Sequence, residues 1–199
     1  MENIQRLKTY LLTVHPVRKS PAQKRELRAW LMGELRRSGW RAQEETYGKF
    51  NGSVNVVAGD PDRARVFLCA HYDTAARSPV PNFVSPTNIL AHALYHITAA
   101  AALAAAAFLL ALAVCFPLNL PELMLPLFLV LALAALWAAA FGPANRSNAN
   151  SNTSGVLALL AAAKAASYDK RVCLVFLDNN ARGLLGAAAF RKKHPDRAE

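Results

Sequence analysis

The stretch Arg171-Val-Cys-Leu-Val-Phe-Leu-Asp-Asn-Asn-Ala-Arg-Gly-Leu-Leu-Gly-Ala-Ala-Ala-Phe190 decides the fold class. Arg171–Leu177 is an unbroken apolar run of strand length, the pattern of a strand covered on both faces. Polar residues and Gly183 interrupt it, and Gly183–Lys193 then reads as a helix. The same strand pattern occurs once more, in Arg65–Ala70, and Ser154–Ala166 carries a second helical apolar face. Further upstream, Ser20-Pro21-Ala22-Gln23 is a capping-box start with proline at the first helical position. It opens a helix in which Leu27, Trp30, Leu31 and Leu35 recur at helical spacing up to about Ser38. Glu44–Phe50 and Val54–Ala58 read as two strands joined at Asn51-Gly52, a hairpin-turn dipeptide. Strands alternating with helices predict an α/β fold, a mixed or parallel sheet with helices over both faces.

Composition agrees with a core of ordinary size. The 199 residues are 54% hydrophobic and 18% charged, which excludes a disordered chain. The net charge is +10, from 23 Lys+Arg against 13 Asp+Glu. It is unevenly spread. From Thr87 to Asn145 there is no Lys or Arg, and the one acid is Glu122. Cys69, Cys115 and Cys173 show no C-x-x-C spacing. That argues against a disulfide framework or structural zinc, and predicts three small buried hydrophobes. The apolar stretch Tyr10–Val14 is too short for a signal peptide.

The uncharged block predicts a membrane hairpin. Its helices are expected over Ile89–Phe116, with Ile97–Phe116 as the apolar span, and over Leu123–Phe141. Twenty helical residues rise about 30 Å, the thickness of a hydrocarbon core. Pro117 and Pro121 separate the two. The second segment is rich in leucine, whereas the first is half alanine and offers less apolar area. A hairpin returns the chain to the side it left. Arg77 and Arg146 flank it and the inter-helix turn has no base, so body and both termini are expected in the cytoplasm. The lipid bilayer is therefore the first expected partner, and the bases Lys24, Arg25, Arg28, Arg36 and Arg37 are expected to meet anionic headgroups. No nucleic-acid partner is expected.

Three motifs lie at strand ends, where α/β proteins place ligands. They are His71-Tyr72-Asp73-Thr74 after the Arg65–Ala70 strand, Asn148-Ala-Asn-Ser-Asn-Thr-Ser-Gly-Val156 opening a helix, and Leu177-Asp-Asn-Asn-Ala-Arg-Gly-Leu-Leu-Gly186. A His at a strand end can ligate a metal, and an Asp two residues on can orient its ring. In this order the motifs resemble the co-catalytic zinc exopeptidases, the family of bacterial leucyl aminopeptidases, glutamate carboxypeptidases and the transferrin receptor ectodomain. The resemblance covers about Ser53 to His194 without the apolar block, and some bacterial members of the family carry such a hairpin. It implies a three-layer α/β sandwich, incomplete here, with a peptidase-like domain in two pieces, 1–86 and 146–199, around a transmembrane insertion at 87–145.

The resemblance also implies where chemistry would sit. In the family two zinc ions ~3.5–4 Å apart acidify a bridging water. His71 stands at a zinc ligand and Asp73 at the acid behind it. Ser151 stands where the family has the bridging Asp, Asn180 at the general base and Ala181 at the following ligand. Asp178, Gly183 and Gly186 match, and the remaining acid and His would lie beyond Glu199. A neutral Ser cannot bridge two dications, Asn cannot accept a proton at neutral pH, and Ala offers no donor atom. His71 is thus the one retained ligand, and no cofactor is expected for this chain although zinc serves the family. The expectation is a membrane-tethered, catalytically inactive relative that holds a peptide or another protein chain. The alternatives are an active aminopeptidase completed by another chain, and a truncated product without function.

Overall fold

A computed structural model describes residues 2–48, 53–77, 88–146, 152–166, 168–180 and 183–195. It is mixed α/β. Among the described residues six helices and four strands follow in the order α1 (Glu2–Thr13), α2 (Pro21–Arg37), β1 (Ala42–Tyr47), β2 (Ser53–Ala58), β3 (Val66–His71), α3 (Ile89–Cys115), α4 (Met124–Phe141), α5 (Ser154–Ala165), β4 (Val172–Leu177) and α6 (Leu185–Lys193). The chain divides into two compact units, Met1–Ala75 with Ala144–Glu199, and Ala76–Pro143.

The first unit, the body, is built on a four-stranded sheet in the order β1-β2-β4-β3. β1 and β2 pair antiparallel with Tyr47 opposite Ser53, a register that differs from the one expected of a two-residue turn at 51 and 52, which would set residue 50 opposite Ser53. The turn dipeptide itself, Asn51-Gly52, lies outside the described residues. β2 and β4 are also antiparallel, and β3 runs parallel to β4 with Val66 opposite Val172 and His71 opposite Leu177. The two apolar runs thus lie side by side and end at the same edge of the sheet.

Residues alternate across this sheet, and each face has its own cover. On one face Val56, Ala58, Leu174 and Phe176 pack with Leu7 and Leu11 of α1, Leu27, Leu31 and Leu35 of α2, and Val156, Leu159 and Leu160 of α5. On the other, Val57, Cys173, Val175 and Leu177 pack with Ala187 and Phe190 of α6. Burying each leucine contributes roughly 1.5–3 kcal/mol. The predicted capping box starts α2: the Gln23 amide donates to Ser20 Oγ at 3.2 Å, and the Ser20 amide donates to Gln23 Oε1 at 3.0 Å. The sequence reading did not assign α1, although Leu7 and Leu11 are a helical pair. Two of the cysteines, Cys115 and Cys173, are buried as expected, but Cys69 is exposed on β3, whose outer edge faces no further strand among the described residues.

The second unit holds α3, a turn at Pro121–Leu123, and α4. Asn88 starts α3 by accepting a hydrogen bond from the Ala91 amide at 2.9 Å. Ala107, Ala111 and Cys115 are the buried residues of α3, one helical turn apart, and their small side chains let the helices approach. Phe108 meets Phe128 edge-to-face at 6.1 Å between ring centres. Both helices are long and apolar enough to cross a membrane. Large apolar side chains cover their outer surfaces; Leu133 and Trp137 are each 64% exposed.

α6 is fastened to the body at both ends. At its start, Gly186 lies against the end of β4, where a Cβ would stand 2.1 Å from the Asp178 carbonyl oxygen. At its end, Lys193 Nζ lies 3.1 Å and His194 Nε2 3.3 Å from the carboxylate of buried Glu45 on β1. Burial alone would raise the Glu45 pKa, but hydrogen bonds from Tyr47, Lys193 and His194 outweigh it and hold the carboxyl below its usual range. A carboxyl with a depressed folded pKa adds stability above its unfolded value, and that stability fades as pH falls through the folded one.

Two outcomes follow for the full chain in mild detergent. Gly186→Ala should cost about 1–3 kcal/mol by overpacking, whereas Gly183→Ala, with open space but φ of +82°, should cost less, read as shifts in thermal midpoint. Glu45→Gln should flatten the loss of stability below pH 4.5, the ordinary value for this carboxyl.

Candidate functional site at the strand ends

The parallel pairing of β3 and β4 brings two of the three motifs together. His71 closes β3 and Asp178 follows β4 directly, and the Tyr72 amide donates to the Leu177 carbonyl at 3.0 Å. The Asn180 amide donates to Asp73 Oδ1 at 3.1 Å. The second motif joins through Asn152, whose Nδ2 donates to the Asp73 carbonyl. His71, Asp73 and Asn180 therefore lie at one end of the sheet. Ser151 and Ala181 lie outside the described residues.

The expected His71–Asp73 couple is loose. His71 Nδ1 lies 3.5 Å from Asp73 Oδ1, and this buried nitrogen has no hydrogen-bond partner. Asp73 is occupied instead with backbone. Asn180 contributes its own backbone N–H, and its side-chain amide has no lone pair basic enough to take a proton at neutral pH.

Two cations that the sequence reading did not place here hold the site together. Lys24 of α2 reaches Asp178 Oδ1 at 2.6 Å and Asn179 Oδ1 at 2.6 Å, with both members of the ion pair buried. The remaining capacity of Asp178 is also taken: Oδ1 accepts from the Asn179 amide at 2.7 Å and Oδ2 from the Val54 amide at 3.1 Å. Arg18, in the loop between α1 and α2, is fully buried. Its Nη2 donates to Asn152 Oδ1 and to Thr153 Oγ1, each at 2.7 Å, and its backbone N–H donates to Thr74 Oγ1 at 2.9 Å. Burial lowers the Arg18 pKa to about 10, against the opposing pull of Asp73. Behind them, the Tyr72 hydroxyl donates to the Val54 carbonyl at 2.7 Å, and burial, aided by the nearby Asp178, pushes this phenol's pKa upward.

This corrects the expected lipid contacts of α2. Lys24 and Arg28 do not face outward: Lys24 neutralises Asp178, and Arg28 is buried with its Nε 2.9 Å from Glu44. Arg25, Arg36 and Arg37 are exposed, and Arg37 pairs with Glu34. An exposed-face reading treats every base on a helix alike. It misses partners more than a hundred residues away, and no local signal marks Lys24 as different from Arg25.

Among the described residues the side chains at this end offer no ready donor set for a pair of dications. Among the described residues no three His, Cys, Asp or Glu side chains converge on one point. A metal ion at Asp178 would have to displace a buried ammonium 2.6 Å away, and Arg18 adds a second positive charge beside Asp73.

No family model matches this chain, and no curated protein matches it. Among solved structures it is similar to a glutaminyl cyclase of Porphyromonas gingivalis, with 17% identity, 89% of this chain and 46% of that chain covered, and a TM-score of 0.46. A glutaminyl cyclase of Tannerella forsythia gives 18% identity, 88% and 44% coverage, and a TM-score of 0.41. The chain spans under half the length of either. Both of these structures are glutaminyl cyclases, which corrects the expected resemblance to leucyl aminopeptidases, glutamate carboxypeptidases and the transferrin receptor. The letters that suggested it have a packing reason. A Cβ at Gly186 would strike Asp178, one at Gly155 would stand 3.2 Å from Ala70 Cβ, and Gly183 takes a left-handed φ. Such glycines serve strand-to-helix turns in general and carry no chemistry.

Removing Lys24 should leave Asp178 buried and unpaired. Lys24→Met is expected to destabilise the body by about 3–5 kcal/mol, and adding Asp178→Asn should recover part of that loss. Chemical denaturation of the two variants beside the parent measures both.

Proposed function

We propose that this chain is a membrane-anchored α/β protein whose strand-end cluster is a non-catalytic binding or scaffold module. The observation that carries the reading is the pairing of Lys24 with Asp178, which leaves that carboxylate to neither a metal nor a transferred proton. His71 is the one imidazole at this end, and without a hydrogen-bonded carboxylate it has no partner to fix its tautomer. In this reading the body, 1–86 and 146–199, is a three-layer sandwich, and the hairpin at 87–145 is its anchor. A polypeptide segment bound at the strand ends would be held without being cut.

Anchoring is supported by the surface of α3 and α4. Side chains such as Leu109, Val130, Leu133 and Trp137 are all at least 60% exposed along two uncharged helices. Exposed contiguous apolar surface on this scale marks a membrane or protein contact. Arg77 and Arg146 flanking the hairpin, with no base in the turn between the helices, support a cytoplasmic side for the body and both termini.

Two measurements test the two halves of the proposal. A reporter fused after Glu199 should be active inside the cell and silent outside, and the protein should stay with the membrane pellet after alkaline carbonate extraction. Purified protein equilibrated with zinc and then dialysed should retain no stoichiometric metal. Two retained equivalents, with a peptidase activity lost on chelation, would contradict the non-catalytic reading, and carbonate-soluble protein would contradict the anchor.

A further inference from the structure

The five histidines of this chain differ in what surrounds them. His194 faces the Glu45 carboxylate, His71 lies beside Asp73, and His15 packs against the rings of Tyr10 and Trp30. His92 and His96, in the first turns of α3, meet each other instead. Their ring centres are 4.4 Å apart, with the planes at 66°. Helical residues four apart lie on one face with Cβ atoms roughly 5–6 Å from each other, so the two imidazoles share one spot on the helix surface. His96 is exposed and His92 half-buried. The Nδ1 atom of His92 is buried without a hydrogen-bond partner, and among the described residues no acid pairs with either ring.

The chemistry of the pair selects its ligand. Neutral imidazole nitrogens are donors of intermediate softness and suit divalent zinc, nickel and copper, at about 2.0–2.1 Å for zinc. Two nitrogens on one ion at that distance stand about 3 Å apart, which rings already in contact reach by turning about their side-chain bonds. Hard cations such as Mg²⁺ and Ca²⁺ take oxygen ligands, which this pair does not offer. An anion would need positive charge, and there is no Lys or Arg from Thr87 to Asn145. The same lack of bases removes the repulsion that a cation meets at the strand ends, where Lys24 and Arg18 stand. Both histidines precede Ile97, the start of the apolar span, and the exposure of His96 leaves the ion's other positions to water.

We propose that His92 and His96 form a two-imidazole chelate for a divalent transition-metal ion. Copper binds tightest, and nickel and zinc follow, in the order that nitrogen ligands impose. The ion clasps the first two turns of α3 together and so stabilises the start of that helix. The site lies wholly within the unit that holds α3 and α4, and it stands whether or not the body is catalytically inert. Two protein ligands hold an ion more weakly than the four of a structural zinc site, so the metal leaves on dialysis. The chelate is therefore separate from the retained zinc pair tested above.

Titration of the full chain with Cu²⁺ in a neutral detergent, read by calorimetry and by electron paramagnetic resonance, tests this. The tightest equivalent should show coupling to two imidazole nitrogens, and excess Mg²⁺ should not compete for it. His92→Ala and His96→Ala should each weaken that equivalent by at least about tenfold, because either change removes one of two ligands. Alanine is the best helix former, so helix content by circular dichroism should stay at the parent's level in both. A third variant keeps the number of histidines but changes their spacing. His96→Leu combined with Leu94→His sets the two imidazoles two residues apart, off a common face, and should bind no better than His96→Ala. A smaller loss in either alanine variant would overturn the proposal. So would parent-like binding in the respaced variant, coupling to a single nitrogen, or displacement by Mg²⁺.

Discussion

The buried contact between Lys24 and Asp178 ties the first turn of α2 to the end of β4. Lys24 comes from the first turn of α2, and Asp178 from the residue after β4. The same carboxylate accepts from Val54 on β2, and Asn55 on that strand accepts from the Asp178 amide while donating to the Gly186 carbonyl. One ion pair therefore sets the position of α2 above the sheet, the end of β4 and the start of α6. A buried pair of this kind contributes little when compared with a well-packed apolar replacement, but losing one member is costly. Its effect is to specify the arrangement.

A strand-end cleft acts on a substrate through carboxylates that are free to hold metal or to exchange protons. Here the chain's own cations fill that role of countercharge, with Lys24 on Asp178 and Arg18 beside Asp73. Within this cluster, Arg18 Nε and Nη1 and His71 Nδ1 are buried nitrogens without a hydrogen-bond partner.

The sequence disclosed the elements whose signals are local. Arg171–Leu177 announced a buried strand through its continuous apolar run, and Ser20 with Gln23 announced the start of α2; Arg65–Ala70 announced a strand but not its place, since β3 lies at the end of the sheet order with none of its residues buried. The apolar block announced two long helices, and these run Ile89–Cys115 and Met124–Phe141. Partners were not disclosed. Lys24 and Asn179 meet across 155 positions, and a basic residue on an amphipathic helix looks the same whether it faces water or a buried carboxylate. His71 and Asp73 misled in the opposite direction, because adjacency in sequence suggested a hydrogen-bonded couple that the backbone geometry leaves at 3.5 Å. The glycines misled too: Gly155, Gly183 and Gly186 answer to packing and φ, which many strand-to-helix turns require.

The central claim, that the strand-end carboxylate is neutralised from within, is tested most directly by the accessibility of Lys24. Brief acetylation of the folded protein in detergent, with modification read residue by residue, compares Lys24 with the exposed Lys170 and Lys192. A buried, ion-paired ammonium should react at least about a hundredfold more slowly than these two, and all three should react alike after denaturation. Added zinc should leave the Lys24 rate unchanged. A Lys24 that reacts as fast as Lys170 and Lys192, or that is exposed by zinc, would contradict the account.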